Sequence, residues 1–146
     1  MNYYKSKYPL ISGTSYDEVV KTARKEYKKI VSLTKRQPYV RSTYFNKDKV
    51  FVAIFWEHLS QKHRNERMKR LKYYNVAIDL LRNSHCEPDT IFKHDDLSIL
   101  LHRFYGITKE GNEYCVQVKQ NKRSGRKDFM SVFDKKVHKN RKPSAL

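Results

Sequence analysis

His58 and His102 are the residues best suited to moving protons near neutral pH, and their sequence contexts differ. His58 follows Phe51, Ile54 and Phe55 by seven, four and three positions. On a helix, that spacing places it on the apolar side. An imidazole partly withdrawn from water has a lowered pKa and can serve as general base or acid. The same spacing also suits a hydrogen-bonded core histidine, and both readings stand at this level.

His102 is followed directly by Arg103 within Leu100-Leu101-His102-Arg103-Phe104-Tyr105. In a strand, neighbours point to opposite faces. One face therefore carries Leu100, His102 and Phe104, and the other Leu101, Arg103 and Tyr105. In residues 113–120, Tyr114, Val116 and Val118 suit a core, leaving Cys115, Gln117 and Lys119 outward. In residues 128–133, Met130 and Val132 alternate with Phe129, Ser131 and Phe133. The expected open face presents Gln117, Lys119 and Ser131 with either His102 or Arg103. Basic groups interleaved with aromatics suit RNA, through phosphate contacts and base stacking.

Further cations accompany this set. Arg64 and Arg67 fall within the Met68–Leu71–Ile78 stripe, whereas Arg70 lies nearer the solvated flank. Either Arg64 and Arg67 snorkel past the edge of the core, or they line the mouth of a site and bind phosphate. Lys122, Arg123, Arg126 and Lys127 make the loop around Gly125 strongly basic. No His/Cys/Asp/Glu group has metal-ligand spacing, and no glycine-rich phosphate loop is present, so neither metal nor cofactor is expected. Asp89 with Gln117-Val118-Lys119 is similar to the acidic–lysine pattern of metal-dependent nucleases, but a second carboxylate is missing.

Ser15-Tyr16-Asp17-Glu18 forms a capping box. Tyr16, Val19, Val20, Ala23, Tyr27, Ile30 and Val31 then repeat at helical spacing, predicting a helix over about 16–35 that ends before Pro38. Residues 39–45 read as a short strand or extended connection. Residues 50–61 and 63–83 read as a second and third helix. After Pro88 the period changes to two, predicting strands over 98–108, 113–120 and 128–133. The expected fold is α+β, with N-terminal helices packed on one face of a small antiparallel β-sheet. The expected division is a basic helical extension at 1–49, an α+β domain at 50–134 and a basic disordered tail at 135–146.

The chain has 146 residues, 32 Lys+Arg against 15 Asp+Glu, and a net charge of +17. A polyanion, nucleic acid before membrane, is the default partner for such a charge. Residues 1–49 and 99–146 each carry a net +8, while 50–98 carry +1. The neutral middle therefore suits core formation. No apolar run approaches a membrane span, and the first residues hold no signal-peptide core. Two cysteines in unrelated positions give no disulfide framework, which points to a reducing, cytoplasmic setting.

Taken together, His58, the run Arg64–Arg70, Leu100–Gly106, Tyr114–Lys119 and Phe129–Phe133 resemble the barnase–EndoU–colicin–RelE-like nuclease superfamily, especially its small phage-type members. The resemblance covers roughly residues 50–134. It implies a helix-plus-sheet fold that cleaves RNA without metal, using the RNA's own 2′-hydroxyl. It carries His58 over as the helix histidine, Arg103 as the arginine of the first strand and Ser131 as the hydroxyl of the last. His102 and Lys119 are further members of the catalytic set. It implies RNA as partner, tRNA or ribosome-associated mRNA among the candidates. An acidic antitoxin or immunity protein fits a toxin-like, phage- or plasmid-borne setting. The departure is the lack of a carboxylate base in the matching strands. The competing reading is a non-catalytic RNA- or DNA-binding protein, explained by charge alone.

Overall fold

Helix α1 (Tyr16–Ser32) begins where the capping box places it: the Glu18 amide donates to Ser15 Oγ at 3.3 Å. The computed structural model describes residues 2–135. Around α1 it arranges β1 (Tyr4–Lys5), β2 (Tyr39–Ser42), β3 (Asp48–Phe51), α2 (Ile54–Ser60), α3 (Arg64–Lys72), α4 (Tyr74–Asn83), β4 (Asp89–Lys93), β5 (Asp96–Ile107), β6 (Glu113–Asn121) and β7 (Lys127–Asp134). The tail expectation for 136–146 lies outside the described residues.

The strands form one seven-stranded sheet in the order β1-β5-β6-β7-β3-β2, with β4 also paired to β5. The α+β class holds, but the sheet is mixed and not purely antiparallel. β1 runs parallel to β5, and β3 runs parallel to β7. β1 and β3 both precede α2, α3 and α4, and β5 and β7 follow them. Residues 1–49, expected as a helical extension, thus supply β1, α1, β2 and the start of β3. Val19, Ala23, Ile30 and Val40 of this segment lie in the same apolar cluster as Ile78, Val116 and Val132.

Two helix expectations change. The stretch expected as a helix over 50–61 starts as strand β3, paired antiparallel with β2. The turn between them uses Asn46 and Lys47 at φ 56° and 70°, a region that asparagine tolerates well. Phe51, Ile54, Phe55 and Leu59 keep helical spacing, but the β2–β3 pairing takes Phe51. The single helix expected over 63–83 is broken at Tyr73 (φ −91°, ψ 2°). Tyr73 and Tyr74 are both buried. The break lets two consecutive rings enter the core, which one narrow helical stripe cannot do.

α4 is buried from Val76 to Leu81. Its Asp79 accepts from Tyr4 Oη at 3.0 Å, the Lys7 amide at 3.1 Å and Asn83 Nδ2 at 2.9 Å. One carboxylate therefore fastens the N-terminal segment to the central helix. On the sheet side, the Tyr114 hydroxyl reaches Ser6 Oγ and the Val76 carbonyl.

Candidate active site

The ladder places side chains before any helix is considered. Arg103 of β5 faces Gln117 of β6, and Gln117 faces Ser131 of β7. The three form one row on one sheet face, and Asp89 of β4 extends it on the far side of Arg103. Lys119 follows Gln117 on the same face. His102 pairs with Val118 in the adjacent register position and points the other way.

A bulge sets the end of this row. Gln117 pairs with Ser131 and Val118 with Phe129, so Met130 is an extra residue in β7. An extra residue reverses the alternation. Phe129, expected on the open face, is instead fully buried, as is Val132. Met130, expected in the core, turns towards the site. Cys115, expected outward, is also fully buried.

β3 covers β7 only at Lys127 and Asp128. α2 and α3 pack along the rest of β7. Phe55 anchors α2 by stacking on Phe129, with centroids 4.7 Å apart and planes 7° apart. With Leu59 also buried, the ring of His58 is left facing a cavity of about 320 Å³ between α2, α3 and the sheet. Its wall includes His58, Lys62, Arg70, Gln117, Met130 and Ser131.

The wall of this cavity sets three cations, Lys62, Lys69 and Arg70, against two carboxylates, Glu66 and Asp134. Burial first, then the Lys119 ammonium, push His58 below its ordinary 6.5; Lys62 and Lys93 add to this, and only Glu57 opposes. Arg70 is mostly shielded, pairs with Glu66 at 3.0 Å and lies 5.6 Å over the Phe133 ring. Arg103 Nε donates to Gln117 Oε1 at 3.3 Å, so Gln117 links Arg103 to the cavity wall. The site therefore combines an imidazole held below its ordinary pKa, a hydroxyl, an amide, cations and two carboxylates. Such a set can take a proton and hold a phosphate.

Not every sequence candidate joins it. His102 is buried on the opposite face, between Thr90 Oγ1 (2.8 Å to Nδ1) and Gln120 Oε1 (2.7 Å to Nε2), with Phe45 5.1 Å away. Burial, then Lys127, hold its pKa low, against the Gln120 hydrogen bond. Its place in the catalytic set is therefore corrected: it is a packed, doubly bonded histidine. Arg64 and Arg67 lie over the Tyr16 ring at 5.1 and 5.4 Å, joining α3 to α1. Arg70, expected on the solvated flank, is the arginine that lines the cavity. Its i+4 partner Glu66 was visible in the sequence; the cavity was not.

The basic loop divides in the same way. Arg126 is held by Asp128 and Gln37 and lies 4.1 Å over Phe51. Lys127 is buried against Asp48 at 2.6 Å. Lys122 and Arg123 are exposed, with Lys122 5.1 Å over Phe92. Burial raises the Cys115 thiol to about 12, which makes it a poor nucleophile.

Among the described residues, no group of three or more His, Cys, Asp or Glu is placed to hold a metal ion. No helix among them is long and apolar enough to cross a membrane. No protein-family model, curated protein or solved structure gives a significant match to this chain.

Proposed function

We propose that this protein is a metal-independent endoribonuclease that cleaves RNA through the 2′-hydroxyl, with a barnase/RelE-like disposition of helix over sheet. The observation that carries the reading is one cavity shared by His58 of α2, Arg70 of α3, and Gln117 and Ser131 of the sheet. Catalytic groups must reach one bound phosphate, and a common cavity is the precondition for that.

In this reading neutral His58 accepts the proton of the 2′-hydroxyl. The freed oxygen attacks phosphorus and the bond to the 5′-oxygen breaks, leaving a 2′,3′-cyclic phosphate. Arg103 and Arg70 hold the non-bridging oxygens as charge develops on the phosphorane. Ser131 donates to the same phosphate. Burial, then Lys119, keeps His58 neutral in the resting protein, and Lys119 protonates the leaving 5′-oxygen. The reading assigns the base to His58 and not to Glu66 or Asp134, the carboxylates of the cavity wall. Lys122 and Arg123 serve as exposed contacts for the rest of the RNA. An acidic partner covering this face would act as the inhibitor of a toxin-like enzyme.

The test is incubation of the purified chain with tRNA and total RNA in EDTA, beside His58→Ala and Arg103→Ala. Fragments ending in 2′,3′-cyclic phosphate are expected, with a loss on the order of 100-fold in either variant. RNA that stays intact but is retained on a gel and released by salt would replace this reading with a non-catalytic RNA- or DNA-binding protein.

A further inference from the structure

Helix α1 carries five exposed cations, Lys21, Arg24, Lys25, Lys28 and Lys29, on a surface the cavity does not use. Val19, Ala23 and Ile30 bury the opposite side of the helix. Helical geometry therefore aims Lys21, Lys25, Lys28 and Ser32 straight outward, as one stripe. The stems of these side chains wall a shallow trough with Arg24 and Lys29.

The acidic residues of α1 do not neutralise this stripe. Asp17 and Glu18 lie in the first turn, where they cap the helix and favour its dipole. Glu26 is turned to the flank, within 3.8 Å of Lys29 and 3.6 Å of Arg82 on α4. Among the described residues, Lys21, Lys25 and Lys28 form no ion pair.

Stability does not explain the arrangement. Lys21 and Lys25, Arg24 and Lys28, and Lys25 and Lys29 are like charges four residues apart, which weakens a helix. Solubility does not explain it either, since interspersed charges of both signs serve that end without a single-sign stripe. A single-sign stripe gains from a partner that brings the opposite charge in a regular array. Lys21 to Lys28 spans about 10 Å along the axis, a length over which flexible lysine stems reach more than one backbone phosphate.

We propose that the outward face of α1 is a second polyanion surface, which grips the sugar–phosphate backbone of RNA away from the His58 cavity. The choice of RNA rests on the nuclease reading, but the surface and its test do not depend on cleavage. Contacts to phosphate position a nucleic acid without reading its sequence. α1 is joined to α3 through Tyr16, Arg64 and Arg67. The stripe and the cavity wall thus belong to adjacent helices, one gripping and the other reacting.

The experiment compares Lys21→Gln/Lys25→Gln/Lys28→Gln with a control of equal charge change, Lys5→Gln/Lys7→Gln/Lys109→Gln. All are made in the His58→Ala background and titrated with tRNA over a range of salt. Glutamine matches lysine in helix propensity, so α1 is kept and the like-charge repulsion is relieved. The α1 variant is expected to melt no lower than its parent yet bind tRNA at least about tenfold more weakly. The slope of log affinity against log salt should shrink by about 2, as for three lost phosphate contacts. Equal weakening in the control would reduce the effect to net charge and overturn the proposal. An unchanged affinity and slope in the α1 variant would overturn it as well. Parent protein that binds tRNA through α1 while wild type leaves RNA intact would remove the nuclease reading and keep this surface.

Discussion

Arg103 and Gln117 face each other across the β5–β6 ladder, and the guanidinium Nε donates to the amide oxygen at 3.3 Å. Gln117 also lines the cavity that His58 faces, and its Nε2 lies 3.9 Å from Met130 Sδ. The amide therefore holds an arginine of the sheet beside the wall of a cavity that a helix histidine also lines.

Gln117→Ala removes that contact without emptying the core. RNA cleavage is expected to fall about tenfold in kcat/KM, equivalent to about 1.4 kcal/mol. The melting temperature should move little, because Gln117 is only half-buried. A variant with wild-type kinetics would mean that Arg103 needs no such support.

In the proposed mechanism the acid limb of the pH–rate profile reports His58. As a base it works when neutral, and its pKa lies below 6.5, so activity should persist below that pH and then fall. Lys119 is the largest charge pressing this pKa down. In Lys119→Gln the limb should therefore move to higher pH, alongside a lower maximal rate. A limb that moves to lower pH would contradict the assignment of both residues.

His102 links stability to pH. Its folded pKa lies below the ordinary 6.5, so the unfolded chain binds the proton more readily. The stabilisation is full above about 6.5 and is lost as pH falls towards and through the folded pKa. Melting followed from pH 8 to 5 should show stability declining in that acid range. His102→Ala should flatten the decline while costing about 2 kcal/mol at neutral pH, since Thr90 and Gln120 lose a buried partner. Because His102 lies on the opposite face, this variant should cleave RNA normally wherever it is folded.

Asp79 is a structural carboxylate. Replacing it with alanine strands Tyr4 Oη and the Lys7 amide and frees the N-terminal segment from α4. A loss of about 3 kcal/mol is expected in urea denaturation. Amide exchange should rise first at β1. A loss below 1 kcal/mol, with β1 still protected, would show that the β1–β5 pairing holds the segment unaided.

The start of α1 was legible because a capping box is a local signal, read within four residues. The span of β5, β6 and β7 was legible because alternation is local too, and the same alternation put Arg103 opposite His102. The bulge at Met130 was not legible. It follows from how β7 pairs with β6, and a single extra residue moved Phe129 into the core. The break at Tyr73 was hidden because apolar residues on both sides keep a passable helical rhythm. β3 is hidden at the start of a helical pattern because Phe51, Ile54, Phe55 and Leu59 keep helical spacing, and only its pairing with β2 and β7 decides the matter.

The sequence by itself determined the charge of this protein, the class of its fold and which residues of β5 and β6 share a face. All three depend on composition or on neighbours a few residues away. Only the tertiary structure decided that His58 shares a cavity with Gln117 and Ser131, that Arg70 lines it in place of Arg64 and Arg67, and that His102 does not. Those facts depend on α2 and α3 covering the edge of β7 that β3 leaves bare. They depend on contacts between segments more than 50 positions apart, such as Phe55 on Phe129, and no local periodicity encodes a contact of that range.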